Sequence, residues 1–207
     1  MAETASSELT IYIVDDEEPV RKALYMLAKS DGLKSEVFES AQTFLNKLDE
    51  LGPGCLLLDV CMPDINGLEV QEALRKRGIA LPVIVITGHG DVATAVRAMK
   101  GGASDFIEKP FDADELLQRV HECLDRESER RNQLELKEEA VRLLERLTRR
   151  EREVMDKLVE GLRNKEVAAS LHISFRTVEL HRASIMEKLG AHSLSDIVRI
   201  AMTAAAD

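Results

Sequence analysis

The sequence predicts two fold classes in one chain. The first is an α/β doubly wound parallel sheet of five strands, and the second is a small all-α unit of four helices with a helix-turn-helix. Three observations lead there. Short apolar runs without polar alternation recur between helical segments, the pattern of strands buried on both faces. The runs end in groups that can do chemistry: Asp15-Asp16, Asp59, Thr87 and Lys109. Past residue 147 the strand runs stop, and capping signals with helical periodicity take over.

Taken in order, Thr10-Ile-Tyr-Ile-Val14 is the first strand, and Pro19 fits the first turn of the helix that follows it to about Lys29. Lys34 to Phe38 is a weaker strand, and Ser40 caps a helix ending near Gly52-Pro53-Gly54. The third strand, Cys55-Leu-Leu-Leu-Asp59, runs into Val60-Cys61-Met62-Pro63 and is closed by Gly67. A helix spans Leu68 to Arg77, and Pro82-Val-Ile-Val-Ile86 is the fourth strand, ending in Thr87-Gly88. A helix over Asp91–Lys100 stops at Gly101-Gly102. The short strand Asp105–Glu108 precedes Lys109-Pro110, and Asp112-x-x-Glu115 opens a fifth helix.

The segment 126–146 is dense in good helix formers with i,i+4 charge pairs, so a solvated helical linker is expected. It separates a domain over 8–125 from one over 147–207. In the latter, Thr148-x-x-Glu151 is a capping box, and Asn164 can cap a short helix over Lys165 to Leu171. Ser174 caps a longer helix ending at Leu189-Gly190, and Ser193-x-x-Asp196 caps the last one. Two helices joined by His172-Ile173-Ser174 form a helix-turn-helix candidate.

Charge divides along the same line. Residues 1–125 carry 12 Lys+Arg and 23 Asp+Glu, a balance of 12 - 23 = -11; residues 126–207 carry 16 and 15, or 16 - 15 = +1. The acidity of the whole chain therefore does not exclude nucleic acid as a partner for the second half. Cys55, Cys61 and Cys123 have no metal-ligand spacing, and their odd number suits reduced thiols. No signal peptide is expected before Leu9, and no apolar run reaches membrane length, so a cytoplasmic protein without a membrane partner is expected.

A parallel sheet of this kind gathers its strand ends in one crevice. Three carboxylates there repel one another unless a cation neutralises them, and a hard divalent ion, Mg²⁺ above all, answers that need. Asp15-Asp16, Asp59-x-x-Met-Pro-x-x-x-Gly67, Thr87-Gly88 and Lys109-Pro110 together resemble the CheY-like receiver domain of bacterial response regulators. The resemblance implies that Asp59 accepts a phosphoryl group from a histidine kinase. It implies that Asp16, Asp59 and the Cys61 carbonyl hold Mg²⁺, with Asp15 acting through water. It further implies that Lys109 pairs with the phosphoryl group before a cis proline, and that Thr87 and Phe106 switch the surface.

In the second half, Leu147-Thr-x-Arg-Glu-Arg-Glu-Val154, Asn164-Lys-Glu166, Thr177-Val178, His181 and Lys188-Leu189 resemble the LuxR-type DNA-binding domain. The whole then looks like a response regulator of the NarL/FixJ class, of the FixJ branch. That implies nitrogen-fixation control, a FixL-like sensor kinase, promoter DNA and RNA polymerase as partners, and a homodimer on phosphorylation through the Asp91–Lys100 helix and the Phe106 strand. On the longer helix, Val178, Ile185 and Leu189 form a buried stripe with His181 at its edge. Arg176, Glu179, Leu180 and Ala183 face the other way, with Arg182 on the flank. Arg176 and Arg182 can reach phosphate or guanine, and Glu179 can accept from cytosine. Lys165 and Lys188 suit phosphate contacts, and Ser174 and Thr177 stand at the helix entry.

The rival reading is an Mg²⁺-dependent phosphohydrolase with an aspartyl-phosphate intermediate. Haloacid-dehalogenase-like enzymes place Asp-x-Asp after one strand. Here the acids are adjacent and the acceptor ends a different strand, so no enzyme is expected.

Overall fold

The computed structural model describes residues 9–63, 65–88 and 92–206. Asp91, the expected start of one helix, lies outside the described residues. The elements are β1 (Thr10–Val14), α1 (Glu18–Ser30), β2 (Lys34–Phe38), α2 (Ala41–Leu45), β3 (Gly54–Asp59), α3 (Gly67–Lys76), β4 (Val83–Thr87), α4 (Val92–Lys100), β5 (Asp105–Glu108) and α5 (Ala113–Glu145). They continue with α6 (Arg149–Val159), α7 (Asn164–Ser170), α8 (Phe175–Leu189) and α9 (Leu194–Ala205). Packing divides the chain into a unit up to Arg130 and a unit from Arg131 onward.

In the first unit every strand pair is parallel, and the strand order is β2-β1-β3-β4-β5. β1, β3 and β4 are buried at every position, which explains why they read as continuous apolar runs. Alternate residues serve two separate apolar layers. Tyr12, Val14, Leu56, Leu58, Val83 and Val85 face one layer, with Phe38 and Phe44 edge-on to each other at 5.2 Å. Ile11, Ile13, Cys55, Leu57, Ile84 and Ile86 face the other, covered by Leu116, Val120 and Leu124 of α5. Burying each of these side chains contributes about 1.5–3 kcal/mol, so the central strands are fixed tightly and their C-terminal ends with them.

The expected helix after Ser40 is cut short. It ends at Leu45, and a 3₁₀ turn follows over Leu48–Glu50. The linker is helical as expected, and it continues α5 without a break from Ala113 to Glu145. Expected to be solvated, it is not polar throughout. Glu127 is buried and takes both Arg130 nitrogens at 2.7 Å, which compensates the cost of burying its charge. Ala140 and Leu144 are buried in the core of the second unit. The apolar positions in 126–146 are too sparse for periodicity to reveal this, yet two of them suffice to anchor the helix.

The second unit is built by α6–α9 around Val154, Met155, Leu158, Val167, Val178, Ile185, Leu189 and Ile197. Thr148 caps α6 and Ser193 caps α9, each in a reciprocal capping box. Asn164 is not the cap of α7. Arg163 is, and its N–H donates to the Glu166 carboxylate at 2.7 Å. Gly190 closes α8 in the left-handed region with φ 63°, where glycine has no Cβ penalty.

Candidate functional site: an acidic strand-end crevice and a helix-turn-helix

The crevice lies where β1, β3, β4 and β5 end. Asp15 follows β1, Asp59 ends β3 and Thr87 ends β4; all three are buried. Lys109 follows β5, and its ammonium spans the gap, donating to Asp15 Oδ2 at 2.7 Å and to Asp59 Oδ2 at 3.0 Å. The Lys109–Pro110 peptide bond is cis. Asp59 Oδ1 accepts from the Cys61 backbone N–H at 3.1 Å, so both carboxylate oxygens are held. The loop beyond doubles back closely. A Cβ on Gly67 would stand 2.3 Å from the Asp59 carbonyl oxygen, so only glycine fits behind the acid.

The carboxylates brought together are Asp15, Glu17 and Asp59, each offering an oxygen within 4.8 Å of the others. Asp16, expected as a direct metal ligand, is exposed and outside this group. The chain turns directly after β1, and this turn buries Asp15, exposes Asp16 and brings Glu17 back toward the crevice. Asp15 keeps this orientation through the Glu17 N–H, which donates to it at 2.8 Å, while Arg21 braces its carbonyl at 2.7 Å. Glu17 and Arg21 had no part in the sequence reading, although the i,i+2 spacing from Asp15 contained the signal for Glu17.

Burial pushes the Asp15 carboxyl above its ordinary range, and the nearby Asp59 charge adds to that; the Lys109 and Glu17 hydrogen bonds only partly oppose it. Burial disfavours the Lys109 charge too, but its bonds to Asp15 and Asp59 outweigh this and hold its pKa above the usual lysine value. One ammonium thus faces three clustered acids. This donor set of hard oxygens with surplus negative charge fits a divalent cation such as Mg²⁺.

Thr87 is fully buried, with its hydroxyl 3.7 Å from the Cys61 sulfur. Phe106 of β5 is half-buried against the layer that contains Val85. On α4, Val92, Val96 and Met99 are exposed.

In the second unit, α7 and α8 flank a turn in which His172 takes the left-handed φ of 53°. Arg150 braces this turn by donating to the Leu171 carbonyl at 2.7 Å. Ser174 accepts from the Thr177 N–H at 3.0 Å, and their hydroxyls meet at 2.7 Å, so both residues build the start of α8. Val178, Ile185 and Leu189 are buried, whereas Arg176, Glu179, Leu180 and Ala183 form an exposed face with Lys165 exposed on α7; His181 is half-buried.

Two expected DNA contacts are engaged elsewhere. Arg182 donates to Asn164 Oδ1 at 3.0 Å, tying α8 to α7. Lys188 reaches both oxygens of buried Glu151 at 2.8 and 2.6 Å, where Ser184 also donates at 2.7 Å. The pull of α6 on α8 depends on residues far apart in sequence, so the reading of Lys188 as a phosphate contact missed it. Phe175, at the head of α8, is 44% exposed.

Residues 11–121 match the response regulator receiver domain, and residues 145–201 match the luxR family of bacterial regulatory proteins. The transcriptional regulatory protein FixJ of Azorhizobium caulinodans is 44% identical over 196 residues, 95% of this chain and 93% of that protein. The response regulator protein TmoT of Ectopseudomonas mendocina is 42% identical over 93% of this chain and 88% of its own length. Among solved structures, the response regulator StyR superposes with TM-score 0.84 at 39% identity, over 95% of this chain and 99% of that one. Full-length FixJ from B. japonicum superposes with TM-score 0.62 at 38% identity, over 96% and 98%. The chain belongs to the response regulators that join a receiver domain to a LuxR-type helix-turn-helix domain, and it is a DNA-binding transcription regulator controlled by phosphorylation.

Proposed function

We propose that Asp59 is the phosphoacceptor and that a sensor histidine kinase is the donor. The observation that carries this is the Lys109 ammonium bridging Asp15 and Asp59 at the strand ends. An Asp59 oxygen attacks phosphorus, the bond from phosphorus to the histidine nitrogen breaks, and an aspartyl phosphate forms. Lys109 is preorganised to neutralise the oxygens of the transferring group. Mg²⁺, when bound, supplies further neutralisation of those oxygens. Asp59, Asp15 and Glu17 are the clustered carboxylates that would hold it, and the receiver resemblance adds Asp16 and the Cys61 carbonyl.

Thr87 follows the phosphoryl group and Phe106 follows Thr87 inward. Both respond to a ligand that binds one arrangement better than the other. The exposed Val92, Val96 and Met99 of α4, beside β5, supply the apolar face for a homodimer. A dimer presents two DNA-binding helices at once, and two half-sites bind far more tightly than one. Arg176, Glu179, Leu180 and Ala183 form the base-reading face of α8, with His181 at its edge, Lys165 on phosphate, and Ser174 and Thr177 at the entry. FixJ of Azorhizobium caulinodans stands at 44% identity and TmoT at 42%, so the resemblance supports the mode of action more strongly than the target genes. Nitrogen-fixation promoters, with RNA polymerase recruited there and a FixL-like kinase upstream, are the FixJ-type reading.

Footprinting of promoter fragments with and without acetyl phosphate and Mg²⁺ tests the proposal. Protection of paired half-sites that needs both reagents and intact Asp59 is expected. Equal protection without phosphodonor would refute phosphorylation control through Asp59.

A further inference from the structure

Away from the crevice, two thiols meet inside the receiver. Cys55 is the second residue of β3, and Cys123 lies on the face of α5 that covers it; both are buried in the same apolar layer. Their sulfurs are 3.0 Å apart. A disulfide bond is about 2.05 Å long, so the sulfurs need to close by only about 1 Å. Nothing in the phosphorylation chemistry uses either group.

The two are not equivalent. Cys55 is 0% exposed. Cys123 lines a cavity of about 250 Å³ together with Pro82, Ser104, Arg126, Glu127 and Arg130, large enough to admit a molecule the size of hydrogen peroxide. Burial raises the Cys55 thiol well above its ordinary value. Cys123 is shifted the other way by its contact with Cys55 and by the Arg126 guanidinium, which together outweigh burial and Glu127. Of the two, Cys123 lines the cavity and Cys55 does not, so an oxidant entering there meets Cys123 first.

We propose that Cys123 and Cys55 form a hydroperoxide-responsive dithiol, with Cys123 oxidised first and Cys55 resolving it. The Cys123 sulfur attacks one peroxide oxygen; the S–O bond forms, the O–O bond breaks, and the leaving hydroxide takes up a proton as water. Cys55 then attacks the sulfenic sulfur; the S–S bond forms, the S–O bond breaks, and a second water leaves with the Cys55 proton. Two thiols lose two electrons, and the peroxide is reduced to two waters. The product ties the strand that ends in Asp59 to α5. Exposed Cys61 lies outside this pair.

The test uses the full chain carrying Cys61→Ser, so that the pair holds its only thiols. The protein is treated with hydrogen peroxide under native conditions, then unfolded, alkylated and mapped by mass spectrometry. Joint loss of both thiols is expected, with a Cys55–Cys123 linked peptide in monomeric protein that dithiothreitol reverses. Adding Cys55→Ser should trap a dimedone-reactive sulfenic acid at Cys123. Two free thiols persisting at peroxide levels that oxidise Cys61 in the unsubstituted chain would overturn the proposal, as would links only between molecules. The Cys61→Ser measurement decides the matter even where Cys55→Ser does not fold.

Discussion

Replacing Glu151 by Gln tests how α8 is held against α6. Glu151 is 5% exposed and accepts from the Thr148 N–H, the Thr148 and Ser184 hydroxyls and the Lys188 ammonium, joining α6 to α8. Burial alone would raise its pKa, but Lys188, Ser184 and Thr148 together pull it from 4.5 down to about 2. That depression corresponds to about 3 kcal/mol, and solvent at the Lys188 end of the pair reduces it to about 2–3 kcal/mol. The folded value lies below the unfolded one. The contribution is therefore fully present above pH 4.5 and is lost as pH falls toward 2. A helical unit this small has only about 3–5 kcal/mol from its core, so Glu151→Gln removes much of its margin. At about 4–8 °C per kcal/mol, its melting transition in the full chain should fall by roughly 10–20 °C at pH 7. The deficit should shrink below pH 4. Scanning calorimetry of the full chain with Glu151→Gln, Lys188→Met and both together measures the effect and the coupling. A shift under about 3 °C at pH 7, or a double variant whose loss equals the sum of the singles, would refute the assignment.

Asp59→Asn should fold and take no phosphoryl group from acetyl phosphate, because the amide keeps the shape but lacks the nucleophile; stoichiometric labelling would contradict it. Gly67→Ala should cost the receiver about 1–3 kcal/mol and slow phosphorylation, since the new Cβ meets the Asp59 carbonyl; unchanged melting and labelling rates would count against that close approach. Mg²⁺ titrations of Asp15→Asn, Asp16→Asn and Glu17→Gln should show greater losses at 15 and 17 than at 16, following the clustered oxygens. The largest loss at Asp16 would instead restore the order implied by the receiver resemblance. In gel shifts, residues 131–207 alone should bind a promoter better than the unphosphorylated full chain and more weakly than the phosphorylated dimer. No advantage over the unphosphorylated chain would mean that the -11 charge of residues 1–125 does not inhibit.

The sequence by itself determined the sheet, its order of strands and helices, and the crevice. Continuous apolar runs such as Cys55–Leu58 have one stable environment, and a parallel sheet brings their ends together whatever the loops do. The caps at Ser40, Thr148, Ser174 and Ser193 were legible for a similar reason, because a helix start is satisfied by residues within four positions of itself. Only the tertiary structure decided which groups pair across elements. Glu17 rather than Asp16 joining the acid cluster depends on how one loop turns. The capture of Lys188 by Glu151 and of Arg182 by Asn164 depends on the crossing of helices 18 to 37 residues apart in sequence. The meeting of Cys55 with Cys123 spans 68 residues and depends on which face of α5 is turned to the sheet. Local propensity and periodicity act over a turn or two of chain, whereas the position of one side chain against another is set by the packing of the whole core.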